Sequence, residues 1–279
     1  MSQPHLPNNM ALPFASVRSL MRRYSDRDPT KKALVDLDRD VSITYGELDK
    51  RVDQIARYLR DLGLGVGDKI ALLSEESLEK LVLWLGIWRI GAVVCPLNVE
   101  INRIHIGEIL SQIEPAFILW HEGIDGAPLT RGVNCPTMQF SRWSCEGENI
   151  SNSEEFFARL TGLSGGDEID HDNAPGDMAA IFCTSGTTSK PKCVVYNHLS
   201  YWLSGLSTLD MLGLTEDDRT LDYRSFGWNS AQVLSLMPWL QTGLTLHIAT
   251  RFSHSRFFEW IQKYEITFAA GVPTVVNML

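Results

Sequence analysis

The sequence contains little cysteine, and its cysteines form no recognised motif. Five cysteines occur among 279 residues, and none belongs to a CxxC pair. An odd number without close pairing does not indicate the disulfide framework of a small secreted protein. It does not indicate a structural zinc site either. We therefore expect a protein of the reducing cytoplasm.

Positive charge is also scarce. Lysine and arginine number 25 against 34 aspartates and glutamates, which gives a formal net charge of −9, and the isoelectric point is near 5.3. This balance argues against a general nucleic-acid or anionic-membrane surface, although it permits a local basic site. The hydrophobic content of 44% and charged content of 21% predict a folded core and not a disordered chain.

No apolar stretch is long enough to cross a bilayer. The longest one, from Leu81 to Cys95, is interrupted by Arg89 and falls short of the roughly 20 residues that a membrane-spanning helix needs. The N-terminal residues MSQPHLPNNMALPFASV lack the basic start and apolar run of a signal peptide. The sequence thus predicts neither a transmembrane segment nor an export signal.

What the chain does have is an alternation of helices and short apolar strands. Thr44 and Glu47 have the spacing of a capping box, and an apolar stripe follows them to Gly63. Further helices are predicted to end near Gly91 and to occupy 101–113 and 199–212. Short apolar runs predict strands at 69–73, 92–95, 116–120, 178–183, 194–196, 244–249 and 267–270. The pattern predicts an α/β layered fold with a largely parallel sheet.

The chain changes character between residues 121 and 176, where Gly, Ser, Asn, Asp and Glu dominate. We predict a loop-rich connector there, which divides the chain into a first α/β subdomain at 1–175 and the start of a second at 176–279. The end of the sequence is apolar. Pro273 is a good first helical residue, yet the chain stops at Leu279. The fold is therefore expected to be incomplete at its C-terminus.

The segment TSGTTSKPKCV at 184–194 is the strongest chemical signal. It lies between two predicted strands and combines five hydroxyl side chains, Gly186 and the cations of Lys190 and Lys192. Hydroxyls and exposed backbone N–H groups bind phosphate oxygens, and a lysine balances their charge. The spacing differs from the GxxxxGK[ST] loop. The alternative is a polar hairpin turn with surface lysines.

This segment resembles the phosphate-binding signature of the adenylate-forming enzymes, which include acyl- and aryl-CoA synthetases, luciferases and adenylation domains. The family form reads TSGTTGxPKGV, and eight of its ten specified positions agree, with departures at Ser189 and Cys193. Four other stretches resemble the same family in the same order: 43–72, 88–98, 224–243 and 251–279. The resemblance covers roughly residues 25 to 279.

The resemblance implies the layered αβαβα N-terminal domain of an adenylate-forming ligase. It also implies a two-step reaction, in which a carboxylate attacks the α-phosphorus of ATP and a thiol, usually that of coenzyme A, then displaces AMP. ATP, Mg²⁺ and coenzyme A are the implied small molecules. By motif position, Lys192 would be catalytic. The implied phosphate contacts are Thr184, Ser185, Gly186, Thr187, Thr188, Ser189, Lys190 and Lys192.

The stretch 224–243 resembles the wall of the family's acyl pocket. Phe226, Trp228 and Asn229 are therefore the candidate substrate-pocket residues. The alternative for the two aromatic residues is ordinary packing in the core. The identity of the acid stays open, because fatty, aryl and short branched acids all suit such a pocket.

Three further sets of residues receive structural interpretations. Cys183 and Cys193 are interpreted as packing residues and not as catalytic nucleophiles, because neither has a paired histidine nearby in sequence. His198 is interpreted as a helix cap or a core histidine. The acidic residues Asp217, Asp218 and Asp222 are interpreted as a solvated turn and not as a metal site.

Several motifs of the resembled family are missing from the sequence. They include the Tyr-Gly-x-Thr-Glu segment that helps to hold Mg²⁺, the ribose-binding aspartate and the lysine of a C-terminal domain. Three hypotheses follow: the N-terminal part of an acyl-CoA synthetase, a ligase that loads a carrier-protein thiol, or a non-catalytic fragment or paralogue. The 279-residue chain alone is expected to lack ligase turnover.

Overall fold

The computed structural model describes residues 14–98, 105–125, 130, 132–142, 156, 160, 169, 171–184 and 191–279. Both helices and strands occur throughout this part of the chain. None of the helices in the described ranges is both long and apolar enough to span a membrane.

Eleven strands are described: β1 (Lys32–Asp36), β2 (Val41–Thr44), β3 (Lys69–Leu73), β4 (Val93–Leu97), β5 (Phe117–His121), β6 (Thr137–Phe140), β7 (Met178–Thr184), β8 (Lys192–Asn197), β9 (Arg219–Asp222), β10 (Thr245–Ile248) and β11 (Phe268–Ala270). The α-helices of the described residues are α1 (Val17–Arg27), α2 (Tyr45–Asp61), α3 (Leu78–Arg89), α4 (Ile106–Ile113), α5 (His198–Leu212), α6 (Asn229–Ala231), α7 (Met237–Thr242), α8 (His254–Lys263) and α9 (Pro273–Val276). A π-helical turn, Gln232–Leu236, joins α6 to α7.

The strands form two sheets in which parallel pairing dominates. The first sheet has the order β11-β9-β10-β1-β2, and the second has the order β6-β5-β3-β4-β7-β8. One antiparallel pair closes an edge of each sheet, β1 with β2 and β7 with β8. The other pairs are parallel. The predicted α/β class with largely parallel sheets is confirmed.

The division of the chain at residue 175 stays a prediction. Each sheet takes strands from both sides of that residue: β1 and β2 join β9–β11, and β3–β6 join β7 and β8. The loop-rich connector predicted at 121–176 falls largely on residues outside the described ranges. Strands β5 and β6 pair in parallel at its beginning, with Ile118 opposite Thr137.

Helix α2 forms where the capping box predicted it. The Oγ1 of Thr44 accepts a hydrogen bond from the backbone N–H of Glu47 at 3.3 Å, and the Glu47 carboxylate accepts the backbone N–H of Thr44 at 2.9 Å. Two unpaired N–H groups of the first turn are thereby satisfied. The predicted apolar stripe is buried, from Leu48 through Val52 to Leu59.

Helix α3 is buried on every face. An all-round buried helix belongs to the interior of a domain. Its contact with α2 is close: a Cβ on Gly86 would lie 2.3 Å from Cγ2 of Ile55. Trp88 extends the packing, because its Nε1 donates to the carbonyl of Ala179 on β7 at 2.7 Å. Helix α3 thus ties α2 to the second sheet.

His198 is a core histidine, which is one of the two interpretations that the sequence allowed. Its ring is buried and packs edge-on against Trp88 at a centroid distance of 5.2 Å. The cap of α5 is the preceding residue instead: Asn197 Oδ1 accepts the backbone N–H of Ser200 at 2.8 Å. Burial lowers the pKa of His198 from 6.5 to about 4.

The depressed pKa of His198 predicts acid sensitivity. Between its ordinary pKa of 6.5 and about 4, the unfolded chain binds a proton that the folded chain does not. Stability conferred by the neutral ring is therefore present above pH 6.5 and is lost as the pH falls toward 4. We expect His198→Gln to reduce the loss of unfolding free energy between pH 7 and pH 5 by about 1–2 kcal/mol. Urea titrations at the two pH values measure it.

The matched control for this experiment is His254→Gln, because His254 is exposed at the start of α8. This variant should keep the pH dependence of the unmodified chain. An identical pH dependence in His198→Gln would show that the buried ring does not govern acid sensitivity.

Candidate functional site

Residues that follow parallel strands of both sheets lie around one cleft. Strands β3 and β4 are parallel neighbours in the second sheet, and β9 and β10 are parallel neighbours in the first. The cleft is lined by Ser74, Glu75, Glu76, Asn98, Ser225, Thr250 and Arg251. Parallel sheets bind their ligands at the carboxyl ends of the strands. The two sheets therefore place polar side chains where an α/β protein holds a substrate.

The phosphate motif begins at a carboxyl end in the second sheet. Thr184 is the last residue of β7, which runs parallel to β4. Lys192 is the first residue of β8 and lies opposite Thr184 in the antiparallel pair. The Lys192 side chain is exposed. The β7–β8 ladder thus holds the two ends of the motif together. This arrangement is compatible with both the phosphate-loop and the polar-hairpin interpretations.

The central residues of the motif lie outside the described residues. They are Ser185, Gly186, Thr187, Thr188, Ser189 and Lys190. Their phosphate contacts stay predictions, as does the catalytic role of Lys192.

The two aromatic side chains of the candidate pocket segment differ in their exposure to solvent. Phe226 is fully buried in the main hydrophobic core, whereas Trp228 is 37% exposed. Core packing therefore describes Phe226, and Trp228 is the aromatic side chain that a ligand could reach. Asn229 begins α6 and is half-buried. The pocket role of all three residues stays a prediction.

Gly227 brings this segment against the end of β4. A Cβ at Gly227 would lie 3.3 Å from both Cβ and the backbone N of Asn98. Such a separation is tighter than ordinary van der Waals contact, so a glycine suits this approach. The candidate pocket segment, which follows β9 of the first sheet, therefore lies against the end of β4 in the second sheet, where Asn98 lines the cleft.

A buried ionic network joins α3 to the same segment, and sequence reasoning missed it. Glu76 Oε1 accepts from Lys80 Nζ at 2.6 Å and from Ser225 Oγ at 2.8 Å. Lys80 is fully buried and also donates to the carbonyl of Ser74 at 3.3 Å. The available signal was the spacing of four residues between opposite charges at the predicted start of a helix. Glu76 itself lies just before Ser77, the N-cap of α3. The network fixes the cleft wall at the start of α3.

The interpretation of Asp222 as part of a solvated acidic turn was wrong. Asp222 is fully buried at the end of β9. Its carboxylate accepts two hydrogen bonds from the Arg224 guanidinium, at 2.9 Å from Nε and 2.6 Å from Nη2, and one from Ser235 Oγ at 2.5 Å. The strand carries Asp222 inward because β9 lies between β10 and β11.

The other two acidic residues do belong to a turn. Asp217 is exposed, and Asp218 Oδ2 accepts the backbone N–H of Thr215 at 2.7 Å. Within the described ranges, no group of three or more His, Cys, Asp or Glu side chains has the arrangement of a metal site.

Comparison with known proteins gives a family match over most of the chain. The model of the family described as AMP-binding enzyme matches residues 21–279. Bacitracin synthase 3 of Bacillus licheniformis is 27% identical over 269 residues, which cover 94% of this chain and 4% of that protein. A crotonobetaine/carnitine–CoA ligase of Escherichia coli is 25% identical over 240 residues, which cover 85% of this chain and 46% of the ligase.

A similar fold occurs in a solved structure, the inhibitor-bound N-terminal domain of FACL13 from Mycobacterium tuberculosis. The TM-score is 0.78 at 23% identity, and the match covers 95% of this chain and 64% of that domain. The chain thus spans about half the length of the curated CoA ligase and about two thirds of the solved domain. The family resemblance read from the phosphate motif is confirmed. The chain belongs to the AMP-binding enzyme family.

Proposed function

We propose that this chain is part of an ATP-dependent acid–thiol ligase that activates a carboxylic acid as an acyl-adenylate and passes the acyl group to coenzyme A. The observation that carries the proposal is the phosphate motif, which starts at the carboxyl end of β7 and has its Lys192 paired with Thr184. Membership of the AMP-binding enzyme family supports ATP as the activating nucleotide. The similarity to a curated CoA ligase supports coenzyme A as the acceptor of the acyl group.

The first step is carried mainly by positioning and charge neutralisation. An oxygen of the carboxylate attacks the α-phosphorus of ATP, the bond to the bridging oxygen breaks, and pyrophosphate leaves. Hydroxyl and backbone N–H groups of 184–190 would bind the phosphate oxygens, and Lys192 would offset the charge that develops on pyrophosphate. Mg²⁺, when bound with the nucleotide, supplies further charge neutralisation. In the second step a thiol attacks the acyl carbon, and AMP leaves.

The departure from the family motif at Ser189 does not oppose this function. If that position requires a left-handed backbone, a serine costs on the order of 1 kcal/mol relative to glycine. A cost of this size is compatible with a working loop.

A second acceptor has support of its own. The similarity to bacitracin synthase 3 reaches 94% of the chain, and that relative is not named as a CoA ligase. A carrier-protein thiol is therefore the alternative acceptor. The third possibility, a non-catalytic member of the family, differs from both in giving no acyl-adenylate.

The experiment is carboxylate-dependent exchange of labelled pyrophosphate into ATP across a panel of fatty, aryl and short branched acids. It compares the 279-residue chain with the longest polypeptide that its reading frame encodes. We expect exchange only in the longer polypeptide, because the chain covers 46% of the curated ligase and a misplaced reacting group costs about 10²-fold in rate. Exchange that needs no acid, or its absence from both polypeptides, would overturn the proposal.

The acceptor is resolved by a second measurement. After adenylation, coenzyme A and a carrier protein bearing a phosphopantetheine thiol are supplied separately. Acid-dependent AMP release and thioester formation with coenzyme A support the proposed ligase. Thioester formation with the carrier alone supports the alternative.

Trp228 is proposed to set the choice of acid. Its indole is partly exposed beside a segment that borders the cleft, so its removal would enlarge a pocket without opening the core. We expect Trp228→Ala to shift the preference toward bulkier acids while the affinity for ATP changes little. The acid panel with the exchange assay measures the shift.

A matched control is Phe258→Ala, because Phe258 is an exposed aromatic residue on α8. This variant should keep the acid profile of the unmodified enzyme. If Trp228→Ala also keeps that profile, or if it unfolds, the indole serves packing and not selectivity.

A further inference from the structure

Two cysteines face each other across the strands that border the phosphate motif. Cys183 on β7 is the register partner of Cys193 on β8. Their Sγ atoms are 3.0 Å apart. The interpretation of each cysteine as a separate packing residue did not anticipate this contact, because a spacing of ten residues does not reveal strand register.

The backbone geometry of the pair suits a disulfide. Directly opposed residues of antiparallel strands have Cα atoms about 4.5–5.5 Å apart, and disulfides span Cα separations of about 4.4–6.8 Å. The two sulfur atoms, 3.0 Å apart, need to approach by only about 1 Å to reach the bonded distance of about 2.05 Å. A small change of side-chain torsion supplies that movement, and the strands keep their pairing.

We propose that Cys183 and Cys193 form a reversible disulfide in the folded protein, which makes the base of the phosphate motif a redox modification site. The bond would close a covalent ring around residues 184–192. The resembled motif has a glycine where this chain has Cys193, so the site belongs to this chain and does not follow from the family form. The proposal is independent of the proposed function, since it concerns the two thiols alone.

The two thiols are suited to different steps. Cys193 is half-buried, whereas Cys183 is buried. Burial, and then the hydrogen bond with Cys193, raises the pKa of Cys183 above its ordinary value. The thiolate is the form that reacts with oxidants. The more accessible Cys193 therefore reacts first, and Cys183 resolves the product.

The oxidant is a peroxide, for which hydrogen peroxide is the probe. The thiolate of Cys193 attacks one oxygen, the O–O bond breaks, and the released hydroxide takes a proton to become water. The resulting sulfenic acid is attacked by the sulfur of Cys183. The S–O bond then breaks, and the hydroxyl leaves as water with the Cys183 proton. Two thiols and one peroxide thus give one disulfide and two waters. An added dithiol reverses the change and is itself oxidised to a disulfide.

Cys95 is the competing partner. It is fully buried on β4 and belongs to the same hydrophobic cluster as Cys183. Burial raises its pKa to about 12. It is not the register partner of either residue, so we expect it to stay reduced.

The test maps the disulfide in the folded protein. The chain is treated with hydrogen peroxide at low protein concentration, remaining thiols are alkylated, and tryptic peptides are analysed by mass spectrometry. We expect the peptide 160–192 to be linked to the peptide 193–219, with the loss of two hydrogens, and to be released by dithiothreitol. The same treatment in guanidinium should give less of this link, because unfolding removes the register.

Three variants complete the test. Cys193→Gly and Cys183→Ser should abolish the link, and Cys135→Ser is the matched control that should retain it. A link that contains Cys95, a link between two chains, or a Cys183–Cys193 link that forms only in guanidinium would each overturn the proposal. The mapping in the unsubstituted chain decides the matter even if a variant fails to fold.

Discussion

Lys192→Ala is expected to slow acid-dependent pyrophosphate exchange by about 10²–10³-fold, the cost of removing one preorganised electrostatic contact. The reason lies in its position: Lys192 opens β8 with an exposed side chain, opposite the strand end from which the phosphate motif starts. A cation at this point can offset the charge that develops on pyrophosphate. Thioester formation from supplied acyl-adenylate releases no pyrophosphate, so the variant should perform that step at nearly the normal rate.

Measuring both half-reactions tests whether Lys192 acts in the adenylation step alone. Lys50→Ala is the matched control, because Lys50 is an exposed lysine on α2 and lies outside the proposed site. It should leave both half-reactions unchanged. If Lys192→Ala slowed both half-reactions equally, its assignment to the adenylation step would be incorrect.

Asp222→Ala is expected to destabilise the fold by about 3–5 kcal/mol, because it leaves the buried charge of Arg224 without a partner. The Arg224 side chain is only 10% exposed, and Asp222 is its ion-pair partner at 2.6 Å. Ser235 loses its acceptor in the same variant. Urea unfolding at neutral pH measures the change in free energy.

Two further variants separate the ion pair from general damage. Asp217→Ala, at an exposed position of the preceding turn, should change stability by no more than about 0.5 kcal/mol. Replacing both partners, as Asp222→Leu with Arg224→Met, should be less destabilising than Asp222→Ala, since no unpaired charge remains. A double variant that is less stable than the single one would mean that the pair is not what holds this corner of the fold.

The elements that the sequence predicted are those whose signal is local. Strands β3, β4 and β7 are contiguous apolar runs, and α2 begins with a capping box. Such signals need no knowledge of neighbouring strands. The helix predicted at 101–113 is described only from Ile106 onward, and residues 101–104 lie outside the described ranges.

The elements that were missed depend on their partners. Strand β9 reads RTLD, with a charge at each end, and its four residues lie between β10 and β11. Strands β1 (KALVD), β2 (VSIT) and β6 (TMQF) likewise include polar residues among their four or five positions. Short strands take their conformation from pairing more than from intrinsic preference. No window of sequence contains that information.

The same distinction between local and tertiary signals applies to the candidate site. The phosphate motif could be found because its residues are consecutive. The Glu76–Ser225 contact joins residues 149 positions apart, and the inward direction of Asp222 depends on the strands beside it. The contact of Cys183 with Cys193 depends on register. Tertiary pairing, and not composition, decides each of these.

The order of strands has a consequence for how the chain is made. The second sheet uses a continuous middle stretch, from β3 to β8, whereas β1 must pair with β10, with Leu34 opposite Leu246. A ribosome adds about 5–20 residues per second, so the chain from Leu34 to its partner Leu246 takes about 10–40 s to synthesise. A β1–β2 hairpin that forms during that time would present the unpaired edge of β1, of the kind that other chains can join. We expect the middle sheet to assemble first during translation, with the N-terminal hairpin as the segment that most needs chaperone protection.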